Sequence, residues 1–492
     1  MGVLRSRSWL WVWVLWLGFA PVQAKTLEIG IFQRFGEHQD EATIQSTGPL
    51  KITLDQNQTL SAPTVAIQTA RIPLAQPIPW SRVVVSAHRS FEDAQVVADG
   101  LKPWNIEPLL ARPQRWQVWA LRRSSPPTVD QEALVGRLHT AGYSTARLES
   151  GLQTDEMLLD LTIDGTHYQT REVTIQAPQN RLQFGARRYG GTLRLSPNAY
   201  GTYSVINRID LETYLRGVVP YEIAPKAPYE AIKAQAIVAR TFALKNLNRF
   251  RLDGYDLCAT ANCQVYQGLG GVTPLTDRAV QTTRQQVLTY QGKLVDALYT
   301  SANGGLSARY SDLWGGEDRP YLRPRLDRIQ PLSLIGLSQE QGLQRFFQNR
   351  TNFNETGSPA FRWTRTYSAA SLLASLTKNL PTLGLFVPLK AVTGLRVLER
   401  SDSGRVLRLG IQTDQGEITL SKDSILSAIE RLPSTLFYIE LEAAGSFRLI
   451  GGGWGHGLGL SQYGSYGLAR RGWDYRRILN FYFPATRLMQ HG

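Results

Sequence analysis

Hydrophobic and polar residues alternate along several segments of this chain, and a period of two predicts β-strands. These segments are 27–32, 50–54, 82–86 and 115–120 in the first third, and 158–163, 173–175, 192–195 and 203–207 further along. Glycine- and asparagine-containing stretches at 188–191 and 198–201 are typical of turns between the later strands. A further hairpin is predicted over 286–299, with its turn at Gln291-Gly292.

A period of three to four residues predicts two helices after these strands. Asp210 is suited to cap a short helix, and Pro228 is suited to the first turn of a second, with Glu230 near its positive end. The second helix carries one apolar stripe, as a helix packed on a core does: Ile232, Ala236, Ala239, Ala243 and Leu247. Together these patterns predict a strand-rich, mixed α+β fold class.

The connector between the two helices holds a single acid, Glu222, between Pro220 and Pro225. We expect the prolines and the apolar neighbours to stiffen this connector. Acid–base chemistry requires a preorganised carboxyl group, whereas a lone Glu is more often a solvated surface residue. Glu222 is therefore a candidate catalytic residue, with a plain surface role as the alternative.

Strand and helix patterns alternate twice before this element. A strand at 82–86 precedes a helix at 91–101, and a strand at 115–120 precedes a helix at 131–138. A chain of 492 residues with 42% apolar content is long enough for more than one core. We therefore predict a smaller α+β region over residues 25–154 and a larger domain over 155–492.

The first 24 residues have the composition of an export signal. Arg5 and Arg7 precede an apolar run at 9–20, and Val-Gln-Ala follows at 22–24. This pattern predicts a signal peptide over residues 1–24 and a secreted protein of the periplasm or cell envelope. The run is too short to span a membrane in the mature protein, so no stable span is expected after cleavage, with an uncleaved anchor as the alternative.

The formal charge of +14 falls to +12 when Arg5 and Arg7 are removed. Such a basic chain favours an acidic partner. Export makes acidic envelope polymers a better candidate than nucleic acid, and a charge that only maintains solubility is the simpler alternative.

The residues around Glu222 resemble a known family. The segments are YLRGVVPYE at 214–222, AIKAQA at 231–236, ART at 239–241, CQVY at 263–266 and GGGWGHGLGLSQYG at 451–464. They are similar to the signature of the SpoIID/LytB family, whose best-known member is a lytic transglycosylase that cuts peptidoglycan glycan strands. The resemblance covers about 155–488 and fades over an insert at about 325–399.

The family resemblance implies that Glu222 is the catalytic acid and that a set of polar and glycine-rich segments binds substrate. That set comprises Ser301, Asn303, Gly304, Gly305, Ser307, Trp454, His456, Ser461, Gln462 and Tyr463. Ser307 stands where relatives usually carry Thr, which keeps a hydroxyl group. A plain turn at 301–307 and a packed, hydrogen-bonded role for His456 are the structural alternatives.

The βα pattern before residue 154 resembles a SPOR-like module, a small fold that binds stripped peptidoglycan. An ordinary α+β spacer is the alternative. Pro126-Pro127 falls inside the proposed unit, which does not favour a domain boundary there.

Cys258 and Cys263 are the two cysteines of the chain. In an exported protein, a disulfide that closes this short loop is the first interpretation. Zinc is the competing one, because some relatives bind zinc here with histidines beside the cysteines. Asn262 stands where such relatives carry His, and a structural zinc site needs about four ligands, so we favour the disulfide and expect no metal or other cofactor.

Hydrolytic glycosidases usually need two carboxylates, whereas only Glu222 lies in a motif shared with the family. A lytic transglycosylase needs one, because the 6-hydroxyl of N-acetylmuramic acid (MurNAc) is the nucleophile and a 1,6-anhydro ring results. The expected partner is then the peptidoglycan glycan strand. Since LytB is regarded as an enhancer of cell-wall amidases, a non-catalytic glycan-binding activator with an amidase partner remains the second hypothesis.

Overall fold

The computed structural model of the chain describes residues 25–122, 130–332, 335–442 and 445–491. The predicted signal peptide and Pro126-Pro127 lie outside these ranges. The fold is mixed α+β and rich in strands, as predicted.

The strands occupy all parts of the described chain. They are β1 Thr26–Phe35, β2 Glu41–Leu54, β3 Thr59–His88, β4 Ile106–Ala111, β5 Trp116–Arg122, β6 Arg147–Ile163, β7 Thr166–Thr170, β8 Val173–Gln176, β9 Leu182–Phe184, β10 Arg187–Tyr189, β11 Thr192–Pro197, β12 Tyr203–Asp210, β13 Leu257–Cys258, β14 Gln286–Tyr290, β15 Lys293–Leu294, β16 Tyr299–Thr300, β17 Trp363–Ser368, β18 Val392–Arg400, β19 Val406–Thr413, β20 Gly416–Ser421, β21 Phe437–Glu442, β22 Ser446–Gly451, β23 Leu460–Ser461 and β24 Arg487–Gln490.

The helices concentrate in the middle and at the end of the chain. They are α1 Phe91–Leu101, α2 Gln131–Thr140, α3 Leu211–Glu222, α4 Tyr229–Lys245, α5 Pro274–Thr282, α6 Glu340–Gln348, α7 Ala369–Asn379, α8 Asp423–Ala428, α9 Gln462–Arg470 and α10 Tyr475–Tyr482.

Within the described ranges, thirteen strands form one sheet in the order β13-β1-β12-β11-β8-β2-β3-β5-β4, with β6 and β7 continuing from β3, and β9 and β10 from β2. The first strand, β1, pairs antiparallel with β12, the strand that leads into α3. Strands β3 and β6 are long and pair with each other over most of their length. The strands near the N-terminus thus share a sheet with those before α3, and the predicted boundary at 154/155 falls inside β6.

The two expected strand–helix pairs of the N-terminal region are present, as the end of β3 with α1 and as β5 with α2. Ser90 caps α1 by accepting a hydrogen bond from the Asp93 amide at 3.1 Å. Asp130 caps α2 in the same way through the Ala133 amide at 3.0 Å. Each cap fixes the start of its helix, and Ser90 and the first residues of α1 lie next to the site described below.

Helix α3 begins as predicted but ends later. The Asp210 side chain accepts from the Thr213 amide at 3.0 Å. The helix continues through Pro220, because a proline ring fits helical φ and the Ile223 amide still bonds to the Val219 carbonyl at 3.1 Å. Glu222 is therefore the last helical residue, and the expectation that it lies in a proline-bracketed connector was wrong.

Helix α4 is buried on nearly all sides between residues 231 and 244. Its many alanines permit this, because they allow neighbouring elements to approach closely. The side chain of Arg240 is fully buried and donates to both oxygens of Glu212, at 2.8 and 2.7 Å. This pairing fixes α4 against the start of α3 and thereby the position of the Glu222 end.

Three apolar clusters form most of the core. The largest joins the main sheet to α3, α4, α9 and α10. A second lies within residues 363–449, between β17–β22 and helices α7 and α8. A third, rich in phenylalanine, contains Phe346, Phe347, Phe353 and Phe361. The latter two cover the insert at 325–399 that the sequence motifs leave without an interpretation.

No helix among the described residues is long and apolar enough to cross a membrane.

Candidate active site

A cavity of about 560 Å³ contains the Glu222 side chain in its wall. Three parts of the chain enclose it: the N-terminal region, the segments around α3 and residue 454, and the region of α7 and α8. The lining includes Arg89, Glu92, Arg112, Arg115, Glu222, Arg249, Cys263, Tyr299, Ser301, Trp314, Asp423, Trp454, His456 and Gln462. The cavity is therefore a cleft built from segments that are distant in the sequence.

The Glu222 carboxyl group is held by two donors. The Val265 amide donates to Oε1 at 2.5 Å, and the Tyr299 hydroxyl also bonds to the carboxyl group. Burial raises the pKa of Glu222, and these two hydrogen bonds oppose that rise without cancelling it. The environment therefore favours a protonated carboxyl more than water does, which suits a general acid.

Tyr299 belongs to a buried polar chain that reaches back to α3. The Gln264 side chain donates to the Tyr299 hydroxyl at 3.4 Å and accepts from the Tyr214 hydroxyl at 3.3 Å. Burial raises the pKa of Tyr299 well above its usual range, so its hydroxyl stays a donor for Glu222. This chain of groups fixes the Tyr299 hydroxyl and thereby the second hydrogen bond to the Glu222 carboxyl group.

Cys258 and Cys263 are disulfide-bonded in the structure. The bridge closes the loop immediately before Gln264 and Val265, whose side chain and amide belong to the site. Among the described residues no group of three or more His, Cys, Asp or Glu side chains is arranged to hold a metal ion.

Helix α9 supplies a further contact to the catalytic candidate. The Gln462 side chain donates to the Glu222 backbone carbonyl at 2.5 Å and lies 3.5 Å from the Gln235 side-chain oxygen. Ser461 caps α9 by accepting from the Gly464 amide at 3.0 Å. The Tyr463 amide donates to the Ser301 carbonyl at 3.1 Å, so α9 connects the Ser301 segment to the end of α3.

Ser301, Trp454, His456 and Gln462 are the predicted substrate-binding residues that line the cavity. Trp454 is 48% exposed, so one of the largest apolar faces of the site is open to a ligand. The His456 ring forms hydrogen bonds with other groups of the protein. Its Nδ1 accepts from the Leu458 amide at 3.0 Å, and the ring also bonds to the Tyr299 carbonyl. Burial lowers the pKa of His456 to about 4, so it is neutral near pH 7 and holds Tyr299 in place.

Four other predicted substrate-binding residues, Asn303, Gly304, Gly305 and Ser307, are buried beneath the cleft. The Asn303 and Gly305 amides donate to Glu355, at 2.5 and 2.8 Å, and are closed to a sugar hydroxyl. Gly304 has a φ of 74°, and a Cβ there would lie 2.5 Å from the Gly452 carbonyl carbon. Glycine is thus required for the close packing of this loop on residues 452–453.

Glu355 connects this loop to α9, since its Oε1 also accepts from the Ser461 hydroxyl at 2.5 Å. Arg405 holds the same loop by its carbonyls, donating to Asn303 at 2.8 Å and to Leu306 at 3.0 Å. Both side chains are almost completely buried. The segment that carries Ser301 into the cleft is therefore held from below by one buried acid and one buried base.

Asp327 lies beside Glu355 and is also buried. It accepts from the Tyr482 hydroxyl at 3.0 Å and from the Asn354 side chain at 2.7 Å. Burial and the neighbouring Glu355 raise the pKa of Asp327 well above its usual range. A protonated Asp327 avoids placing two buried negative charges side by side.

Sequence reasoning missed Tyr299 and Glu355. Tyr299 ends the predicted hairpin and precedes the polar loop at 301–307. Its position next to this predicted substrate-binding loop was the sequence feature that could have indicated a role in the site. Glu355 lies in the insert at 325–399, where neither periodicity nor motif marks it.

Two other carboxylates line the cavity, and both are ion-paired. Glu92 lies 2.6 Å from Arg249, and Asp423 lies 2.9 Å from Arg89. Glu222 has no such cationic partner among the described residues. It is the carboxyl group of the cleft that is open to a proton-transfer role.

Residues 199–290 match the family described as Stage II sporulation protein, and residues 308–459 match the family described as Domain of unknown function (DUF8618). An uncharacterized protein of Brachyspira hyodysenteriae is 26% identical over 330 residues, which are 65% of this chain and 77% of that protein. The Amidase enhancer of Bacillus subtilis is 28% identical over 351 residues, 62% of this chain and 48% of that protein. Stage II sporulation protein D of Bacillus subtilis is 24% identical over 327 residues, 61% of this chain and 81% of that protein.

The first of these matches contains Glu222, Gln264 and Val265, and the second contains Glu355, Trp454 and His456. Tyr299 and Ser301 lie between the two matched ranges. The family resemblance inferred from the sequence motifs is thereby confirmed: this chain is similar to the SpoIID/LytB proteins, and the range that matches the Stage II sporulation protein family contains Glu222.

Proposed function

We propose that this chain is an exported protein of the bacterial envelope that acts on peptidoglycan, as a lytic transglycosylase with Glu222 as its single acid–base group. The observation that carries the proposal is the Glu222 carboxyl, which has a raised pKa, two fixed donors and no cationic partner among the described residues, in the wall of an open cleft. The similarity to Stage II sporulation protein D and to the Amidase enhancer supports the peptidoglycan assignment.

In the first step, protonated Glu222 donates its proton to the glycosidic oxygen as the bond between that oxygen and C1 of MurNAc breaks. Burial favours the protonated form of the carboxyl group, and the Tyr299 hydroxyl and Val265 amide stabilise the carboxylate that forms. The leaving N-acetylglucosamine unit departs with its hydroxyl restored.

In the second step, the Glu222 carboxylate takes the proton from the 6-hydroxyl of the same MurNAc while O6 bonds to C1. The acid is regenerated, and the product carries a 1,6-anhydro ring. One carboxyl group therefore acts first as acid and then as base, and the reaction needs no second catalytic carboxylate. This is consistent with the cleft, where Glu92 and Asp423 are both held in ion pairs. The open face of Trp454 would stack on a sugar ring, and Ser301 would contact the strand as it crosses the cleft.

The second candidate is a glycan-binding enhancer of a cell-wall amidase, which would use the same cleft without cleavage. The relative named Amidase enhancer motivates it, although this chain spans about half of that protein. A binding role explains Trp454 and Ser301 as well as the enzyme does. Glycan binding alone does not require the raised pKa of Glu222, so we favour the transglycosylase.

The test uses the mature chain and its Glu222→Gln variant, incubated with purified peptidoglycan and with amidase-stripped glycan. Mass spectrometry of the products should show 1,6-anhydroMurNAc ends with the wild type and none with the variant. Gln keeps the size of the side chain and an acceptor for the Val265 amide but cannot donate or take the catalytic proton.

Ordinary reducing ends would instead indicate a hydrolase, with Glu92 or Asp423 as the second carboxylate. Absence of cleavage with retained binding would move the assignment to the amidase enhancer. In that case, adding the chain to a purified cell-wall amidase should increase the rate of peptide release.

A further inference from the structure

The N-terminal region contributes part of the cleft wall. Its contribution comes from the residues before and in α1 and from the turn between β4 and β5. That turn contains Arg112 and Arg115, and both line the cavity. Neither residue lies in the ranges 199–290 and 308–459 that match known families.

Four arginines of the described chain line the cleft, and they fall into two pairs with different surroundings. Arg89 and Arg249 are neutralised by Asp423 and Glu92, at 2.9 and 2.6 Å. Among the described residues, Arg112 and Arg115 have no carboxylate within ion-pair distance. In the described part of the chain, the cleft therefore keeps two guanidinium groups without an ion-pair partner on one wall.

Arg115 is the better defined of the two. It is half-buried, and its Nε atom is buried without a hydrogen-bond partner in the described part of the chain. Its Nη1 lies 2.9 Å from the position that a Cβ on Gly384 would occupy, so the guanidinium is packed against that backbone. A buried guanidinium N–H without an acceptor is costly, so the chain holds Arg115 in this position against a local penalty.

Arg112 is half-buried nearby, with its guanidinium 5.9 Å from the centre of the Trp116 ring. Asp253 acts on it electrostatically but accepts a hydrogen bond from Tyr200, at 3.2 Å, and forms no ion pair with Arg112. The backbone carbonyl of Arg112 accepts from Arg34 at 2.6 Å, which fixes the turn without using the Arg112 side chain. Two arginines three positions apart on a fixed turn can both reach the same anionic strand.

We propose that Arg112 and Arg115 form an anion subsite that binds the carboxylates of the glycan strand while Glu222 acts on the glycosidic bond. The inference rests on the proposed function for its ligand, and it assigns a substrate class: carboxylate-bearing glycan rather than neutral polysaccharide. Arginine suits this ligand because its planar fork matches a carboxylate with two parallel hydrogen bonds. The carboxylate comes either from the lactyl ether of stripped MurNAc or from the stem peptide.

The test measures binding to the Glu222→Gln chain, so that cleavage does not consume the ligand. Three ligands are compared: amidase-stripped glycan, glycan with intact stem peptides, and a neutral N-acetylglucosamine oligomer. The double variant Arg112→Gln/Arg115→Gln is paired with Arg365→Gln/Arg408→Gln, which removes the same charge from exposed arginines outside the cleft. Circular dichroism and melting curves establish that both variants are folded.

We expect the cleft variant to bind a carboxylate-bearing glycan about tenfold or more weakly, as for the loss of charge-assisted hydrogen bonds. Its binding of the neutral oligomer should change less than about twofold, and the control variant should match the parent on all three ligands. A loss confined to stripped glycan assigns the lactyl carboxylate, and a loss confined to peptide-bearing glycan assigns the stem peptide.

Unchanged affinity for both carboxylate-bearing glycans would overturn the subsite, as would an equal loss for the neutral oligomer. The outcome is independent of catalysis. Arginine-dependent binding without anhydro products from the wild type would refute the transglycosylase and leave the subsite in place.

Discussion

Glu355 supports the site from below, and its replacement by alanine tests how much the cleft depends on that support. The carboxylate accepts from the Asn303 and Gly305 amides and from the Ser461 hydroxyl, all in a fully buried setting. Alanine leaves the two amides without an acceptor, whereas the hydroxyl can rotate to another partner. At about 1–3 kcal/mol for each orphaned buried donor, the local cost is about 2–6 kcal/mol.

Hydrogen exchange of the Asn303 and Gly305 amides measures this cost where it arises. Because the described chain contains more than one apolar cluster, a single global unfolding free energy is a poorer measure. A local loss of about 2 kcal/mol accelerates exchange by about 30-fold. The Glu355→Gln variant, which keeps one acceptor oxygen, should lie between the wild type and the alanine variant.

Glu317→Ala is the matched control, since Glu317 is exposed on the surface. It should leave exchange of both amides unchanged. Acceleration of less than about threefold in Glu355→Ala would contradict the reasoning, because the two amides would then not depend on the carboxylate. Cleavage should fall in the alanine variant as well, because Ser461 precedes the Gln462 that holds the end of α3.

Three further changes test the site itself. Because folding raises the pKa of Glu222, the wild type should lose stability as pH rises from about 4.5 through the raised pKa. The Glu222→Gln variant should therefore melt at a higher temperature than the wild type at pH 7 but not at pH 4. Equal differences in melting temperature at the two pH values would refute the assignment. Tyr299→Phe removes a hydrogen bond that lowers the pKa of Glu222. The alkaline limb of the pH–rate profile should therefore move to higher pH, and kcat should fall roughly tenfold. An unchanged alkaline limb would argue against a hydrogen bond between Tyr299 and Glu222. Replacing Cys258 and Cys263 by serine should destabilise the loop locally by about 2 kcal/mol, measured as faster hydrogen exchange of the Val265 amide, with the reduced wild type as comparison. Unchanged exchange on reduction would mean that the bridge does not constrain the loop.

Local sequence patterns were sufficient for the elements around the site. The alternation at 203–207 predicted β12, and the Asp210 cap and the apolar stripe after Pro228 predicted α3 and α4. The end of α3 was the exception, since a proline near a helix end is compatible with both a stop and one more turn. The hydrogen bond from Ile223 to Val219 decides between them, and only the structure contains it.

Local sequence also could not separate the predicted substrate-binding residues that line the cleft from those that are buried beneath it. Ser301, Trp454, His456 and Gln462 line the cleft, whereas Asn303, Gly304, Gly305 and Ser307 are buried beneath it. A glycine-rich loop has the same sequence pattern whether its amides face a ligand or a buried carboxylate. That choice depends on Glu355, about fifty residues further along the chain.

By itself, the sequence determined the fold class, the elements that carry the site and the identity of Glu222 as the acid to examine, because caps, periodicity and motifs are properties of neighbouring residues. Only the tertiary structure decided what surrounds that acid. The Val265 amide is 43 residues from Glu222 and the Gln462 side chain 240 residues away, and hydrogen bonds over such separations leave no periodic trace in the sequence. The same holds for Arg112 and Arg115, whose place in the cleft follows from the packing of the N-terminal region, since their local sequence resembles any basic turn.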